Sequence, residues 1–205
     1  MTGADAHAGA PSAWNLANAL TVLRILLVPV FGWLVLRDGG DDDASRVAAF
    51  LVFAVAMVTD KLDGDLARSR GLVTDFGKIA DPIADKALLG TAFVALSLLD
   101  HVAWWVTVVV LVREIGVTAL RFVVIRHGVI PASRGGKTKT ALQALAIGLY
   151  VLPLPDSFDG IRVVVMAAAV VVTVVTGIDY VLAAFRLRRT SERTLRKRQR
   201  LGGGR

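Results

Sequence analysis

No cysteine occurs in the 205-residue sequence, and only three residues are histidine. Disulfide bonds and thiol catalysis are therefore excluded. His7, His101 and His127 form no cluster with metal-ligand spacing, so nothing predicts a zinc site. The first residues also lack the basic start of a secretory signal, and the first apolar run is therefore expected to be retained in the protein.

Charged residues are scarce beside apolar ones: 20% of the chain is charged and 55% is hydrophobic, with a mean hydropathy of +0.60. Six apolar runs approach the roughly 20 residues that a helix needs to cross a bilayer. They cover residues 16–36, 44–68, 82–99, 102–125, 140–154 and 161–185. This pattern predicts an all-α, polytopic membrane protein with six transmembrane helices. We expect a disordered cytoplasmic segment at residues 1–14, the membrane domain at 15–186 and a basic cytoplasmic tail at 187–205.

The positive charges are distributed asymmetrically between the two sides of the predicted membrane. With both termini in the cytoplasm, the cytoplasmic side holds five Lys and Arg residues around the second and third runs, five around the fourth and fifth, and nine from Arg186 onward. The outer connections are instead rich in Asp. Such a bias sets membrane orientation. Because the net charge of +7 is concentrated beside apolar runs and in the tail, it indicates contact with anionic lipid and not with nucleic acid.

Four aspartates with helical spacing lie where the second apolar run ends and the third begins. Asp60 and Asp63 are three residues apart, Asp81 and Asp85 are four apart, and each pair lies on one face of a helix. Small residues share those faces, namely Gly64, Ala67 and Gly77. If the two faces meet, four carboxylates converge at headgroup depth and repel one another unless cations balance them.

All-oxygen ligation of this kind favours Mg²⁺ or Mn²⁺ over zinc. Paired ions clamp the attacking and leaving oxygens in phosphoryl transfer. A simpler interpretation is a solvated acidic loop whose aspartates cap helices. That interpretation suits any two of these aspartates alone, but four of them, interleaved with Gly and Ala and flanked by Arg68, favour a metal site.

The same segment resembles the signature of the CDP-alcohol phosphatidyltransferase family, and every fixed position is present. The matching residues are Asp60, Asp63, Gly64, Ala67 and Arg68, then, after eight residues, Gly77, Asp81 and Asp85. The resemblance implies six transmembrane helices, a homodimer and a cytoplasm-facing cavity with two metal ions. It also implies transfer of a substituted phosphate from a CDP-linked donor to an alcohol, with release of CMP.

Residue roles follow from the resemblance by position. Asp60 and Asp81 would bridge both ions, Asp63 would complete one metal site, and Asp85 would complete the other. Asp85 would also act as the general base. The expected contacts to the donor are Gly64, Arg68 and Thr74.

Other segments resemble one branch of the family, whose donor is CDP-diacylglycerol and whose acceptor is glycerol 3-phosphate. They are "NLANALTVLRILLVPVF", "REIGVTALR" and "ASRGGKTKTALQ". Asn18, Thr21 and Arg24 of the opening helix are in place, whereas Ala17 replaces the usual proline.

An anionic acceptor needs cations of its own, and Arg113, Lys137 and Lys139 are the candidates. Arg113 lies in the fourth apolar run, and the two lysines precede the fifth. The alternatives are a structural ion pair for Arg113 and orientation signals for the lysines.

Three other functions stay open at this level. Two are other branches of the family, with inositol phosphate or a second lipid as acceptor. The third is a divalent-cation transporter, which would place its acids near the bilayer midplane on discontinuous helices.

Overall fold

The computed structural model describes residues 16–70, 74–124 and 134–190, although some side chains inside the helices, including those of residues 63–70 and of Lys137, lie outside the description. Within these ranges the chain forms six α-helices, two short 3₁₀ helices and no strand. The α-helices are α1 (Leu16–Leu36), α2 (Asp43–Arg70), α3 (Asp75–Leu98), α4 (Trp104–Val124), α5 (Arg134–Val151) and α6 (Asp159–Thr190). The all-α prediction is confirmed for these residues. Residues 1–14 and most of the predicted tail lie outside them.

Two predicted helix starts are wrong, because hydropathy marks only the apolar part of a helix. Helix α3 begins at Asp75 and not at residue 82, so that Pro82 lies inside it and removes one backbone hydrogen bond. Helix α5 begins at Arg134 and not at residue 140. Helix α6 ends at Thr190, and the predicted division between membrane domain and tail at residue 186 stays a prediction. The backbone hydrogen bonds of a helix continue through polar turns, so Asp81, Asp85 and Lys139 lie within helices.

The chain divides into two compact units, Met1–Ala95 and Leu96–Arg205. In the first unit α1 packs against α2, where the rings of Phe31 and Phe53 have centroids 5.6 Å apart. Helix α1 also approaches α3 closely. A Cβ atom at Gly32 would lie 2.9 Å from Cγ2 of Thr91, so this contact requires glycine.

In the second unit α4 and α5 each pack against α6. Arg162 of α6 joins this helix to the end of α5. Its guanidinium donates to the carbonyl oxygens of Leu149, Leu152 and Leu154 at 3.0, 3.3 and 3.0 Å, and to Asp159 at 2.6 Å. These carbonyls belong to the last turn of α5 and the residues after it, which a helix leaves without internal partners.

A tight connection joins α1 to α2 and includes the 3₁₀ helix Arg37–Gly40. Gly39 and Gly40 have φ of 71° and 82°, values that glycine adopts without strain. Asp42 then caps α2 by accepting hydrogen bonds from the backbone N–H and the hydroxyl of Ser45, at 3.0 and 2.5 Å. These bonds, the hydroxyl one first, lower the pKa of the Asp42 carboxyl below its usual value.

Two stretches are long and apolar enough to cross a bilayer, Asn18–Gly40 and Asp156–Leu187, as judged by length and composition within the described residues. Only 28% of the first and 22% of the second is buried. The core helix of a soluble protein would be mostly buried. The outward side chains of these helices are large and apolar, for example Leu26, Trp33, Val164 and Val171.

Candidate active site

Helix α1 carries a row of buried polar side chains along an otherwise apolar helix. Asn18, Thr21 and Arg24 occur at every third position and are exposed by only 6%, 1% and 0%. Positions three apart are neighbours on a helix surface, so the three side chains form one inclined stripe. Buried polar groups are costly without hydrogen-bond partners. The partners of this stripe therefore indicate its structural role.

Each residue of the stripe contacts the aspartate-rich segment. Nη1 of Arg24 donates to Oδ1 of Asp60 at 2.5 Å. The hydroxyl of Thr21 donates to Oδ1 of Asp81 at 2.6 Å. Asn18 Oδ1 accepts from the hydroxyl of Thr74 at 2.8 Å. The stripe thereby fixes two of the four predicted metal ligands, one on α2 and one on α3.

Thr74 lies immediately before α3 and caps it. Its hydroxyl accepts from the backbone N–H of Gly77 at 3.1 Å while donating to Asn18. This is the usual geometry of an N-cap residue and the third residue of its helix. The hydroxyl of Thr74 is thus engaged in starting α3, and its contact with a donor stays a prediction.

Gly77 is closely surrounded by polar side chains at the start of α3. A Cβ atom there would lie 3.2 Å from Oδ1 of Asn18, 3.3 Å from the Thr74 hydroxyl and 3.7 Å from Oδ2 of Asp81. A side chain at this position would therefore occupy space beside a carboxylate oxygen. Oriented carboxylate oxygens are the ligands that Mg²⁺ or Mn²⁺ requires. The carboxylate oxygens of Asp60 and Asp81 are of the ligand type that a divalent ion prefers.

Some of the predicted site residues lie outside the described side chains. The side chains of Asp63 and Arg68 and the surroundings of Gly64 are outside the description, while Asp85 is half-buried on α3, one turn after Asp81. Among the described side chains, no three His, Asp or Glu residues are grouped closely enough to hold an ion. The convergence of four carboxylates thus stays a prediction.

A second polar cluster lies in the other unit. Oε1 of Glu114 accepts hydrogen bonds from Nη1 of Arg113 at 3.1 Å and from Nζ of Lys139. The side chains of Arg113, Glu114 and Lys139 are exposed by only 15%, 10% and 6%. The structure therefore brings together two of the three predicted acceptor cations, with a carboxylate between them. The side chain of Lys137 is not described.

Helix α6 positions Arg113 in this cluster. Nη2 of Arg113 donates to the hydroxyl of Thr176 at 3.1 Å. A Cβ atom at Gly177 would lie 3.0 Å from Cγ of Arg113, so glycine makes room for the arginine stem. Nε of Arg113 is buried and has no hydrogen-bond partner among the described residues. The guanidinium is held in place by Glu114 and Thr176.

The sequence matches the model of a known protein family. The model described as CDP-alcohol phosphatidyltransferase matches residues 14–175, which is most of the chain. The chain belongs to the CDP-alcohol phosphatidyltransferase family. It is therefore a phosphatidyltransferase, and the family uses divalent metal ions.

Individual members of the family are similar over most of their length. A Mycobacterium tuberculosis protein named "Probable phosphatidylglycerophosphate synthase" is 55% identical over 179 residues, covering 87% of this chain and 86% of that protein. Proteins named CDP-diacylglycerol–glycerol-3-phosphate 3-phosphatidyltransferase are 36% identical in Bacillus subtilis and in Rickettsia felis. These two matches cover 82% and 81% of this chain and 93% of each relative.

Two features of this phosphatidyltransferase had no assigned role at the level of sequence. The first is the stripe on α1. Its residues match the family's opening helix, but the sequence did not indicate which residues they contact. Its signal is the recurrence of polar residues every three positions in an apolar run. The second is Glu114, an acid beside Arg113 within an apolar run. Because a charged side chain inside a membrane is costly, its position alone makes Glu114 a functional candidate.

Replacing Thr21 with valine is expected to weaken metal binding about 10- to 100-fold, the usual effect of removing a group that orients a metal ligand. Valine keeps the shape of threonine but cannot donate to Asp81. The measurement is the Mg²⁺ concentration that gives half-maximal activity. Thr107→Val is the matched control, because Thr107 is equally buried and pairs with Ser97 at 2.6 Å. An equal Mg²⁺ requirement in the two variants would contradict the orienting role of Thr21.

Proposed function

We propose that this protein is a phosphatidylglycerophosphate synthase. It transfers the phosphatidyl group of CDP-diacylglycerol to glycerol 3-phosphate, giving phosphatidylglycerophosphate and CMP. The observation that carries the proposal is similarity to relatives named for this reaction over more than four fifths of the chain. The contacts of α1 with Asp60 and Asp81 support it, because they orient the carboxylates on which the chemistry depends.

The reaction is a displacement at phosphorus. A hydroxyl oxygen of glycerol 3-phosphate attacks the phosphorus that carries diacylglycerol and forms the new ester bond. The pyrophosphate bond to CMP breaks, and CMP leaves with the electron pair. Asp85 accepts the hydroxyl proton as general base.

Two Mg²⁺ ions, or Mn²⁺ in their place, would be held by Asp60, Asp63, Asp81 and Asp85. When bound, they stabilise the negative charge on the pyrophosphate oxygens. Arg24 and Thr21 hold Asp60 and Asp81 in fixed orientations. Gly77 keeps the space beside Asp81 free of a side chain. Gly64, Arg68 and Thr74 would contact the donor.

Arg113, Lys137 and Lys139 would hold the phosphate of the acceptor. Arg113 is suited to this because a planar guanidinium matches phosphate geometry, and Thr176 and Glu114 already fix its orientation. A phosphate dianion in a largely buried place needs such cations.

One assay separates this function from its rivals. Purified protein is incubated with CDP-diacylglycerol, Mg²⁺ and one acceptor at a time, and the lipid product is identified by mass spectrometry. We expect product with glycerol 3-phosphate alone. Product only with inositol phosphate indicates a phosphatidylinositol phosphate synthase, and product only with phosphatidylglycerol indicates a cardiolipin synthase. No lipid product with any acceptor, together with Mg²⁺ uptake into proteoliposomes, indicates a transporter.

We also propose that the protein is a homodimer that crosses the cell membrane six times, with the active site and both termini in the cytoplasm. The charge bias of the connections supports this orientation. The absence of native cysteines makes a direct test simple. Cysteines introduced at Asp41 and Ser157, both outer positions in this orientation, should react with an impermeant maleimide in intact cells, and one at Ser133 should react only after lysis. The reverse pattern would place the active site on the outer face.

A further inference from the structure

Among the described residues, the Glu114 carboxylate is the acid that joins two of the predicted acceptor cations, Arg113 and Lys139. The side chain of Glu114 is 10% exposed, and its Oε1 accepts hydrogen bonds from both Arg113 and Lys139. Moving a carboxylate out of water is costly. If Arg113 and Lys139 only had to pair with an anionic ligand, they would not need the Glu114 carboxylate beside them. The acid must therefore serve the two cations that flank it.

Two consequences follow from its position. Glu114 holds the guanidinium and the ammonium group on either side of one oxygen, although two like charges would otherwise repel. It also offsets one of their two positive charges, and so reduces the attraction that they exert on any phosphate. Arg113, Glu114 and Lys139 together carry a formal charge of +1. If the predicted acceptor cation Lys137 also contributes, the charge becomes +2, which balances the −2 of a phosphate monoester dianion.

We propose that Glu114 is a positioning residue that sets the affinity of the acceptor site, by spacing Arg113 and Lys139 and by limiting their charge to match a phosphate monoester dianion. This inference rests on the proposed function. The lipid product carries the same phosphate monoester as the acceptor, because the attack uses a hydroxyl and leaves that phosphate intact. A site with excess positive charge would bind the product tightly and release it slowly. Glu114 thus favours turnover at the expense of acceptor affinity.

Two conservative variants separate charge from position. Glu114→Gln keeps the length and the carbonyl oxygen that accepts from Arg113 and Lys139, but removes the negative charge. We expect the KM for glycerol 3-phosphate to fall about tenfold, a moderate value for one charge removed at partly screened distance, with a lower kcat. Glu114→Asp keeps the charge but shortens the side chain, and we expect its KM to rise severalfold with no gain in affinity.

Binding of inorganic phosphate provides a measurement independent of turnover. Titration calorimetry of the purified protein with phosphate should show about tenfold tighter binding in Glu114→Gln than in wild type, and weaker binding in Glu114→Asp. Gly116→Ala is the control: it lies two residues away on α4, and a Cβ there would meet no atom within 4 Å. It should bind phosphate and turn over as wild type does.

The outcomes distinguish this inference from the proposed function. If wild type makes no lipid product with glycerol 3-phosphate, the proposed function fails. If wild type is active but neither variant changes the KM for glycerol 3-phosphate or the affinity for phosphate, Glu114 is only a structural ion-pair partner and the inference is wrong. Loss of thermal stability in both variants with unchanged KM leads to the same rejection.

Discussion

Asp81→Asn is expected to abolish nearly all turnover while the protein still inserts and folds. Asparagine matches aspartate in shape and keeps one oxygen, to which the Thr21 hydroxyl can still donate. It lacks the negative charge that binds a divalent ion and balances it. Stability should change little, because the hydrogen bond to α1 is retained. A loss of turnover without a loss of stability would therefore be due to metal binding and not to misfolding.

Asp60→Asn should lose activity to the same extent but should also lose stability. Arg24 is fully buried, and its charge is paired with Asp60. Removing one partner of a fully buried pair costs about 3–5 kcal/mol. The cost here should be smaller, because the Asp60 side chain is 40% exposed and water screens the pair.

Both variants are measured in detergent or nanodiscs by product formation over a range of Mg²⁺ and Mn²⁺ concentrations, with thermal unfolding recorded in parallel. Asp100→Asn is a matched control. Asp100 is an exposed loop residue with φ of 54°, a conformation that asparagine tolerates as well as aspartate does. Near-wild-type turnover of Asp81→Asn in Mg²⁺ would be incompatible with a metal site built on these aspartates.

The second large effect concerns the acceptor. Alanine at Arg113, Lys137 or Lys139 should raise the KM for glycerol 3-phosphate and leave the KM for CDP-diacylglycerol nearly unchanged. Losing one charge-assisted contact costs about 1.5–3 kcal/mol, which corresponds to a change of about 10- to 150-fold. The comparison of the two KM values in each variant is the measurement.

Gly177→Ala provides a test that leaves every charge in place. The new methyl group would lie 3.0 Å from the Arg113 stem and would displace it, whereas the same change at Gly116 meets no atom within 4 Å. We expect Gly177→Ala to raise the KM for glycerol 3-phosphate and Gly116→Ala not to. Equal effects of the alanine variants on both substrates would instead show that Arg113 and Lys139 serve mainly as ion-pair partners of Glu114.

Much of the fold was predictable from sequence, because each long apolar run indicates a helix. All six predicted runs overlap the α-helices of the described residues, and α1 covers residues 16–36 as predicted. The ends of α3 and α5 were not predictable in this way. The start of α3 depends on the hydroxyl of Thr74, which bonds at once to Gly77 within its own helix and to Asn18, 56 residues earlier. Hydropathy carries no information on such a bond.

The sequence by itself determined the chemistry: the aspartate spacing and the family signature identify a metal-dependent phosphatidyltransferase, because ligand type and helical periodicity are local properties of the chain. The tertiary structure alone decided the partners. It paired Arg24 with Asp60 and Thr21 with Asp81, and it placed Glu114 between Arg113 and Lys139. These contacts join residues 25 to 60 positions apart, apart from the adjacent pair Arg113 and Glu114. Their formation depends on how helices pack, since a buried polar group takes whichever partner the neighbouring helix brings within hydrogen-bond distance.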